Sequence, residues 1–285
     1  MQPEFEIRMR RGSFGALIGA SGGNEVELVQ RCLSDHHIVG FSSFDKRVQP
    51  FIALRSMMMQ HIRESGHRVF AITSVQPGNG KTHVAVNLAA VLSRIVPTRL
   101  IELDLRRPMI GARLGLRSPF TGIDDVLAGK AQLADSATRI RGYDLTIHRV
   151  RRPRADAGTL LASLQTQRLF EALRELPGAP VCIVDTPPVF VDDDFMLVAP
   201  GLDGAMVVVE EGRTTKHALR ETMDALRPTE VLGAVLNKSC SSSAPNIDYG
   251  GYCDVAPRPP RMPGRARSVW GRIRQLPSRF TEPSG

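Results

Sequence analysis

Residues 69–95 constrain this chain more than any other stretch. An apolar run, Val69-Phe70-Ala71-Ile72-Thr73, leads into Gln76-Pro77-Gly78-Asn79-Gly80-Lys81-Thr82, and a helical pattern continues from Val84 to Ile95. A strand, a glycine-containing loop ending in Gly-Lys-Thr and a helix make up a P-loop. Backbone N–H groups of such a loop and of the first helical turn converge on one point and bind phosphate oxygens. Lys81 adds a point charge near the β- and γ-phosphates, and the Thr82 hydroxyl is placed to ligate Mg²⁺. The stretch points to a nucleoside triphosphate. The full pattern has Gly where this chain has Val75.

The 285 residues allow one large domain, or one domain with tails. A hydrophobic share of 42% supports a core, and only 5% aromatic content makes that core aliphatic. The formal charge of +8 suggests an anionic partner: nucleotide, acidic lipid or nucleic acid. Cys32, Cys182, Cys240 and Cys253 have no paired metal-like spacing. Beside a P-loop they read as reduced cytosolic thiols. No apolar run approaches the length needed to cross a bilayer. Met1-Gln2-Pro3-Glu4-Phe5-Glu6 lacks a signal-peptide layout, so a cytoplasmic location is expected.

Early glycines (Gly12, Gly15, Gly19, Gly22 and Gly23) make residues 1–49 read as a loop-rich N-terminal extension. A helix is expected over 50–65, where Phe51, Leu54, Met57 and Met58 recur at helical spacing and read as core. Strand-like runs follow at 69–73, 99–103, 145–150, 181–184, 205–209 and 231–236. Helical patterns separate them at 82–95, 122–128, 159–176, 193–199 and 215–226. This alternation predicts an α/β fold over 50–240, a doubly wound, mainly parallel sheet with helices on both faces. Residues 241–285 read as a flexible, Tyr-containing, Arg/Pro-rich tail.

In such sheets ligands bind where the strands end. Asp185 ends one apolar strand, in the position of a Walker-B carboxylate, and Pro187-Pro188 leaves it no following helix to cap. It is expected to face Thr82 and hold Mg²⁺. Glu102 and Asp104 flank Leu103, and residues two apart in a strand face the same side. That pair is expected to bind metal or take a proton. Arg106 and Arg107 neutralise phosphate charge or anchor the turn, with Arg106 the expected catalytic one. Asp192, Asp193 and Asp194 read as a helix N-cap cluster, with Asp194 also placed to reach the metal region. Asn237, at the last strand end, can meet an adenine edge. His36 and His37 read as surface.

These motifs together resemble the bacterial tyrosine kinases (BY-kinases), which regulate capsule and exopolysaccharide assembly. They belong to the wider P-loop group that includes the partition and cell-division-site ATPases. The resemblance covers roughly residues 50–237. Ser74-Val75-Gln76-Pro77-Gly78-Asn79-Gly80-Lys81-Thr82 is similar to that family's Walker A, which also lacks the first Gly. Ile101-Glu102-Leu103-Asp104-Leu105-Arg106-Arg107-Pro108 is similar to its Walker A′, and Val181-Cys182-Ile183-Val184-Asp185-Thr186-Pro187-Pro188-Val189 to its Walker B. The partition-type relatives carry a signature lysine where this chain has Gln76, which points to the kinase branch. The resemblance implies ATP and Mg²⁺ as cofactors. ATP contacts are then expected from Pro77, Gly78, Asn79, Gly80, Lys81, Thr82 and His83, and from Asn237 at the base. Thr82, Asp104 and Asp185 would organise the metal, and Glu102 would assist proton removal or metal binding.

The sequence departs from that pattern at three places. Glu102 stands where the family usually has Asp. The family's ring-forming Glu-x-x-Arg-x-x-Arg is Gln49, Ile52 and Arg55 here. Its tyrosine cluster is reduced to Tyr249 and Tyr252, the candidate phosphoacceptors. After Asp254, arginines interleave with Val269, Trp270, Ile273, Leu276 and Phe280, a pattern suited to an anionic membrane surface. The leading expectation is an ATP-dependent protein tyrosine autokinase, homo-oligomeric, regulating polysaccharide export beside a membrane polysaccharide co-polymerase at the inner face of the plasma membrane. Its rivals are a non-phosphorylating, ATP-switched adaptor and a partition-type ATPase. The positive charge is concentrated in the tail, so nucleic acid is not the expected partner.

Overall fold

Residues 69–74 are buried along their whole length, which requires a strand covered on both faces. The computed structural model describes residues 24–239. Its elements, in chain order, are β1 (Asn24–Val26), α1 (Gln30–Asp35), α2 (Gln49–Ser65), β2 (Val69–Ser74), α3 (Lys81–Leu92), β3 (Thr98–Glu102), α4 (Ile110–Arg113), α5 (Ile123–Leu127), β4 (Ala137–Ile140), β5 (Leu145–His148), α6 (Ala157–Leu161), α7 (Leu164–Arg174), β6 (Val181–Asp185), α8 (Asp194–Val198), β7 (Gly204–Glu210), α9 (Lys216–Ala225) and β8 (Val231–Asn237). The strands form one eight-stranded sheet in the order β1-β4-β5-β3-β6-β2-β7-β8. Every adjacent pair is parallel except β4 with β5.

Two-residue periodicity divides each central strand between two cores. Phe70 and Ile72 of β2, Ile183 of β6 and Val208 of β7 join α1 to α4 on one face. Val69, Ala71, Val184 and Val207 join α5 to α9 on the other. This is the doubly wound arrangement expected from the alternating pattern. The expected helix over 159–176 is broken into α6 and α7. Ser163 at the break is extended (φ −75°, ψ 157°), and its hydroxyl and that of Thr166 both donate to the Leu160 carbonyl, at 2.6 and 2.9 Å. Short hydroxyl side chains compete for backbone in this way and interrupt helices. Among the methionines expected in the core, Met58 is fully buried but Met57 is 62% exposed.

The N-terminal boundary needs correction. Residues 24–49 belong to the same domain as the P-loop rather than to an extension. Strand β1 pairs with β4, and Leu33, Ile38, Val39, Phe41 and Val48 are buried in the first core. Asn87, in the middle of α3, is wholly buried, and its Oδ1 accepts the backbone N–H groups of Val39 at 2.8 Å and Gly40 at 2.7 Å. A Cβ on Gly40 would meet the Asn87 carbonyl oxygen at 2.5 Å and the Ala90 Cβ at 2.8 Å. The sequence hid this docking because glycines and short elements carry little periodicity.

Glu102 pins two loops where β3 ends. Its Oε1 accepts the N–H groups of Met109 and Ile110, each at 2.7 Å, and its Oε2 accepts that of Val150 at 3.0 Å. The carboxylate thus ties the start of α4 to the chain leaving β5. It is 1% exposed. Burial pushes its pKa up from 4.5 to about 7, against the backbone bonds to Ile110, Val150 and Met109 and with some help from the charge of Asp185.

Two predictions follow from this packing. Gly40→Ala should destabilise the domain by about 1–3 kcal/mol through overpacking against α3, read as a lower urea midpoint. A raised folded pKa at Glu102 means its contribution is fully present below the ordinary value and is lost as pH rises through about 7. Wild type should therefore lose thermal stability relative to Glu102→Gln between about pH 4.5 and 7. A melting-temperature difference that stays flat, or moves the other way, would show that the three amide bonds outweigh burial.

Candidate active site

The parallel strands end along one edge, and the chemically loaded residues collect there. Between β2 and α3 the chain makes a tight loop, with Gly78 at φ 86° and Gly80 at φ 98°, a conformation open to glycine but strained for other residues. Asn79 braces it from within: its Oδ1 accepts the Gln76 N–H at 2.8 Å. The first N–H groups of α3 have no partner within the helix and open toward this loop. Here the sequence reading of a phosphate-binding loop has its expected geometry.

Lys81 and Thr82 begin α3 and are buried. Lys81 Nζ lies 2.7 Å from Asp104 Oδ2 and 3.4 Å from Asp185 Oδ1, and 3.4 Å from Thr82 Oγ1. Burial works against the lysine charge, but Asp185 and Asp104 outweigh it and hold its pKa above the ordinary value. Asp185 is wholly buried. Burial raises its pKa, opposed by the Lys81 charge and the Thr82 hydroxyl. Its Oδ2 is buried with no hydrogen-bond partner. A hydroxyl and two carboxylates, one of them with an orphaned oxygen, form a hard, all-oxygen donor set, which fits Mg²⁺ rather than a softer metal.

A cleft of about 280 Å³ lies over these groups, walled by the phosphate loop, Asp104, Arg106, Arg113, Pro188 and Asp194 among others. Arg106 is held by a bidentate pair with the buried Asp194, at 2.7 and 3.1 Å, and by Asp192 at 3.2 Å. Expected as a catalytic cation, it is instead locked into the wall. Asp194 is correspondingly taken up by Arg106, and Asp193, at the N-cap of α8, makes no side-chain cap. The acidic triplet is therefore an arginine clamp more than a helix cap. Arg113, which the sequence reading passed over, lines the cleft with a buried Nε that has no partner.

Other expected residues land elsewhere. Asp104 and Glu102 do not act as a same-side pair: β3 stops at Glu102, and Asp104 turns to Lys81 while Glu102 turns to backbone amides. The His83 imidazole also points away from the cleft. It packs edge-on against Phe51 at 5.8 Å, and burial with the nearby Arg113 charge lowers its pKa to about 4. That ring lines a separate groove between α2 and β8. Asn237 does reach the phosphate loop, where its Nδ2 donates to the Asn79 carbonyl at 2.8 Å. A Cβ on Gly80 would collide with that amide. Glu210, missed in the sequence, ends β7 and accepts from Asn79 at 3.2 Å while pairing with Arg213 at 3.3 Å and Lys238 at 3.2 Å. Its position one residue past an apolar strand was the available signal. Tyr249 and Tyr252 lie outside the described residues, as do Cys240 and Cys253.

No family model matches the chain. The tyrosine-protein kinase CpsD of Streptococcus agalactiae is 26% identical over 210 residues, covering 73% of this chain and 90% of the relative. The tyrosine-protein kinase wzc of Salmonella typhimurium is 26% identical over 215 residues, covering 73% of this chain but only 29% of that longer protein. Among solved structures, the kinase domain of the Escherichia coli tyrosine kinase ETK superposes with a TM-score of 0.64 at 23% identity, over 72% of this chain and 82% of that one. Motif order, the sheet that carries the motifs and these likenesses agree: the chain has the fold of a P-loop ATPase and is similar in sequence to bacterial tyrosine kinases.

Proposed function

We propose that this chain is an ATP-dependent protein tyrosine autokinase of capsule or exopolysaccharide assembly. The observation that carries the reading is the Lys81–Asp104–Asp185 cluster at the mouth of the phosphate loop, with the Asp185 Oδ2 left unpartnered. On nucleotide binding, Lys81 exchanges a carboxylate for the β- and γ-phosphates, and the loop amides receive the remaining phosphate oxygens. Thr82, Asp185 and Asp104 would hold Mg²⁺, which would supply neutralisation of the triphosphate charge. Arg113, with its free buried Nε, is the arginine available to an anionic oxygen, while Arg106 keeps the wall in place. A tyrosine hydroxyl has a pKa of about 10 and arrives protonated. Asp104, nearer the cleft mouth than Asp185, is the carboxylate placed to accept that proton. Glu102, engaged by three backbone amides, acts through loop position instead.

The acceptor tyrosines, Tyr249 and Tyr252, must reach a site at the strand ends, and transfer between protomers of a homo-oligomer is the simplest route. The working place is the cytoplasmic face of the membrane, beside a polysaccharide co-polymerase, with the arginine-rich tail on anionic lipid. Among the described residues no helix is long and apolar enough to cross a membrane. The adaptor reading is favoured by one observation: Ile52 and Gln49 replace two of the three charged positions on α2 that a ring interface of this family would use.

Incubation with ATP and Mg²⁺ should place phosphate on Tyr249 or Tyr252, detected by anti-phosphotyrosine blotting and mass spectrometry. Lys81→Met should reduce it by about 100-fold or more, and the Tyr249→Phe/Tyr252→Phe double variant should abolish it while retaining nucleotide binding. ATP turnover with both tyrosines unmodified, even with the membrane partner present, would make the chain an ATP-switched adaptor.

A further inference from the structure

At the end of the sheet away from the phosphate loop, two imidazoles and a carboxylate converge. His61 lies in the last turn of α2, Gly66 turns the chain at φ 75°, and His67 follows just before β2. Glu230 immediately precedes β8. His61 Nε2 stands 3.8 Å and His67 Nδ1 3.5 Å from the same oxygen, Oε2 of Glu230. The three ligand atoms all lie within 4.8 Å of one another. Both nitrogens are buried, and neither has a hydrogen-bond partner. A buried polar atom left unsatisfied is costly and uncommon, and here two such atoms face one carboxylate. The rings are held in place: His61 packs edge-on against the buried Phe70, with centroids 5.7 Å apart, and lies 5.7 Å from His67.

We propose that His61, His67 and Glu230 form a binding site for a divalent transition-metal ion of the zinc class. Ligands about 2.0–2.1 Å from a tetrahedral ion stand roughly 3.3–3.5 Å apart. The two nitrogen-to-carboxylate separations, 3.5 and 3.8 Å, need only a few tenths of an ångström of contraction, and the two nitrogens, within 4.8 Å of each other, close by rotation of the imidazoles. Two imidazoles with one carboxylate suit zinc and its neighbours, whereas Mg²⁺ and Ca²⁺ take oxygen donors. Glu230 is half exposed, at 51% of its side chain, which leaves room for water as a fourth ligand. The six residues of β2 span about 20 Å at roughly 3.3 Å each, so this ion does not touch the nucleotide. It would join the end of α2 to the starts of β2 and β8. Imidazole binds metal only when neutral, so occupancy falls on acidification.

The test compares the full-length chain, stripped with chelator, against Glu230→Gln and His67→Gln in zinc chloride titrations by calorimetry. Substitution of Glu230, on the exposed side, leaves the core untouched, and circular dichroism in chelator checks that each variant folds. Wild type should bind one more Zn²⁺ per chain than either variant, or bind it at least about tenfold tighter. Zinc should raise the melting temperature of wild type and not of the variants. Equal zinc stoichiometry, affinity and thermal response in wild type and variants would overturn the site.

Discussion

The buried charge of Lys81 is the constraint around which the nucleotide edge is built. An ammonium removed from water is tolerated only beside opposite charge. Its two partners come from separate parts of the chain, Asp104 beyond β3 and Asp185 at the end of β6. They meet because β2, β3 and β6 are parallel neighbours in a fixed register, with Asp185 opposite Ile72 on one side and Glu102 on the other. Breaking a buried pair by removing one partner costs about 3–5 kcal/mol, because the other charge stays buried and unpaired. The same arrangement suits the proposed ligand: a triphosphate would offer the lysine a stronger counter-charge, and the freed carboxylates would be hard oxygen donors for a cation.

A second layer of uncharged contacts keeps that cluster in register. Asn79 links the phosphate loop to Glu210 of β7 and to Asn237 of β8, so three neighbouring strands brace one loop. Asn87, one layer further in, fastens the segment at Val39 and Gly40 onto α3. Burying these amides is affordable because each finds backbone or carboxylate partners. Glu102 does comparable work on the far side of the cleft, where it closes the loop after β3 over the end of β5. The cleft is therefore shaped by residues that do not themselves face the phosphates.

The two ends of the sheet carry different chemistry. The strand-terminal edge offers hard oxygen donors and cations suited to a magnesium–nucleotide complex. The opposite edge offers imidazole and carboxylate around His61, His67 and Glu230. Helix α2 runs between the two regions: its first turns line the groove shared with His83 and β8, and its last turn carries His61. An ion at the far end would anchor the helix that carries Gln49 and Arg55.

Local pattern was enough to read the alternation of strands and helices, the phosphate loop and the strand-end position of Asp185, since periodicity and glycine placement are properties of neighbouring residues. The contacts of Glu102, Arg106 and His83 were not legible because the sequence does not say which way a side chain turns once the elements pack. Glu102 found three unpaired amides, Arg106 a buried Asp194, and His83 the ring of Phe51. Residues 24–49 and β4 were illegible for a related reason, since short segments become structure only when distant parts of the chain supply their hydrogen bonds and packing. The sequence by itself determined the fold class and the phosphate-loop motif, because both are written in contiguous patterns. Only the tertiary structure decided which carboxylates meet Lys81 and which merely hold the walls, because that depends on the register of parallel strands far apart in the chain.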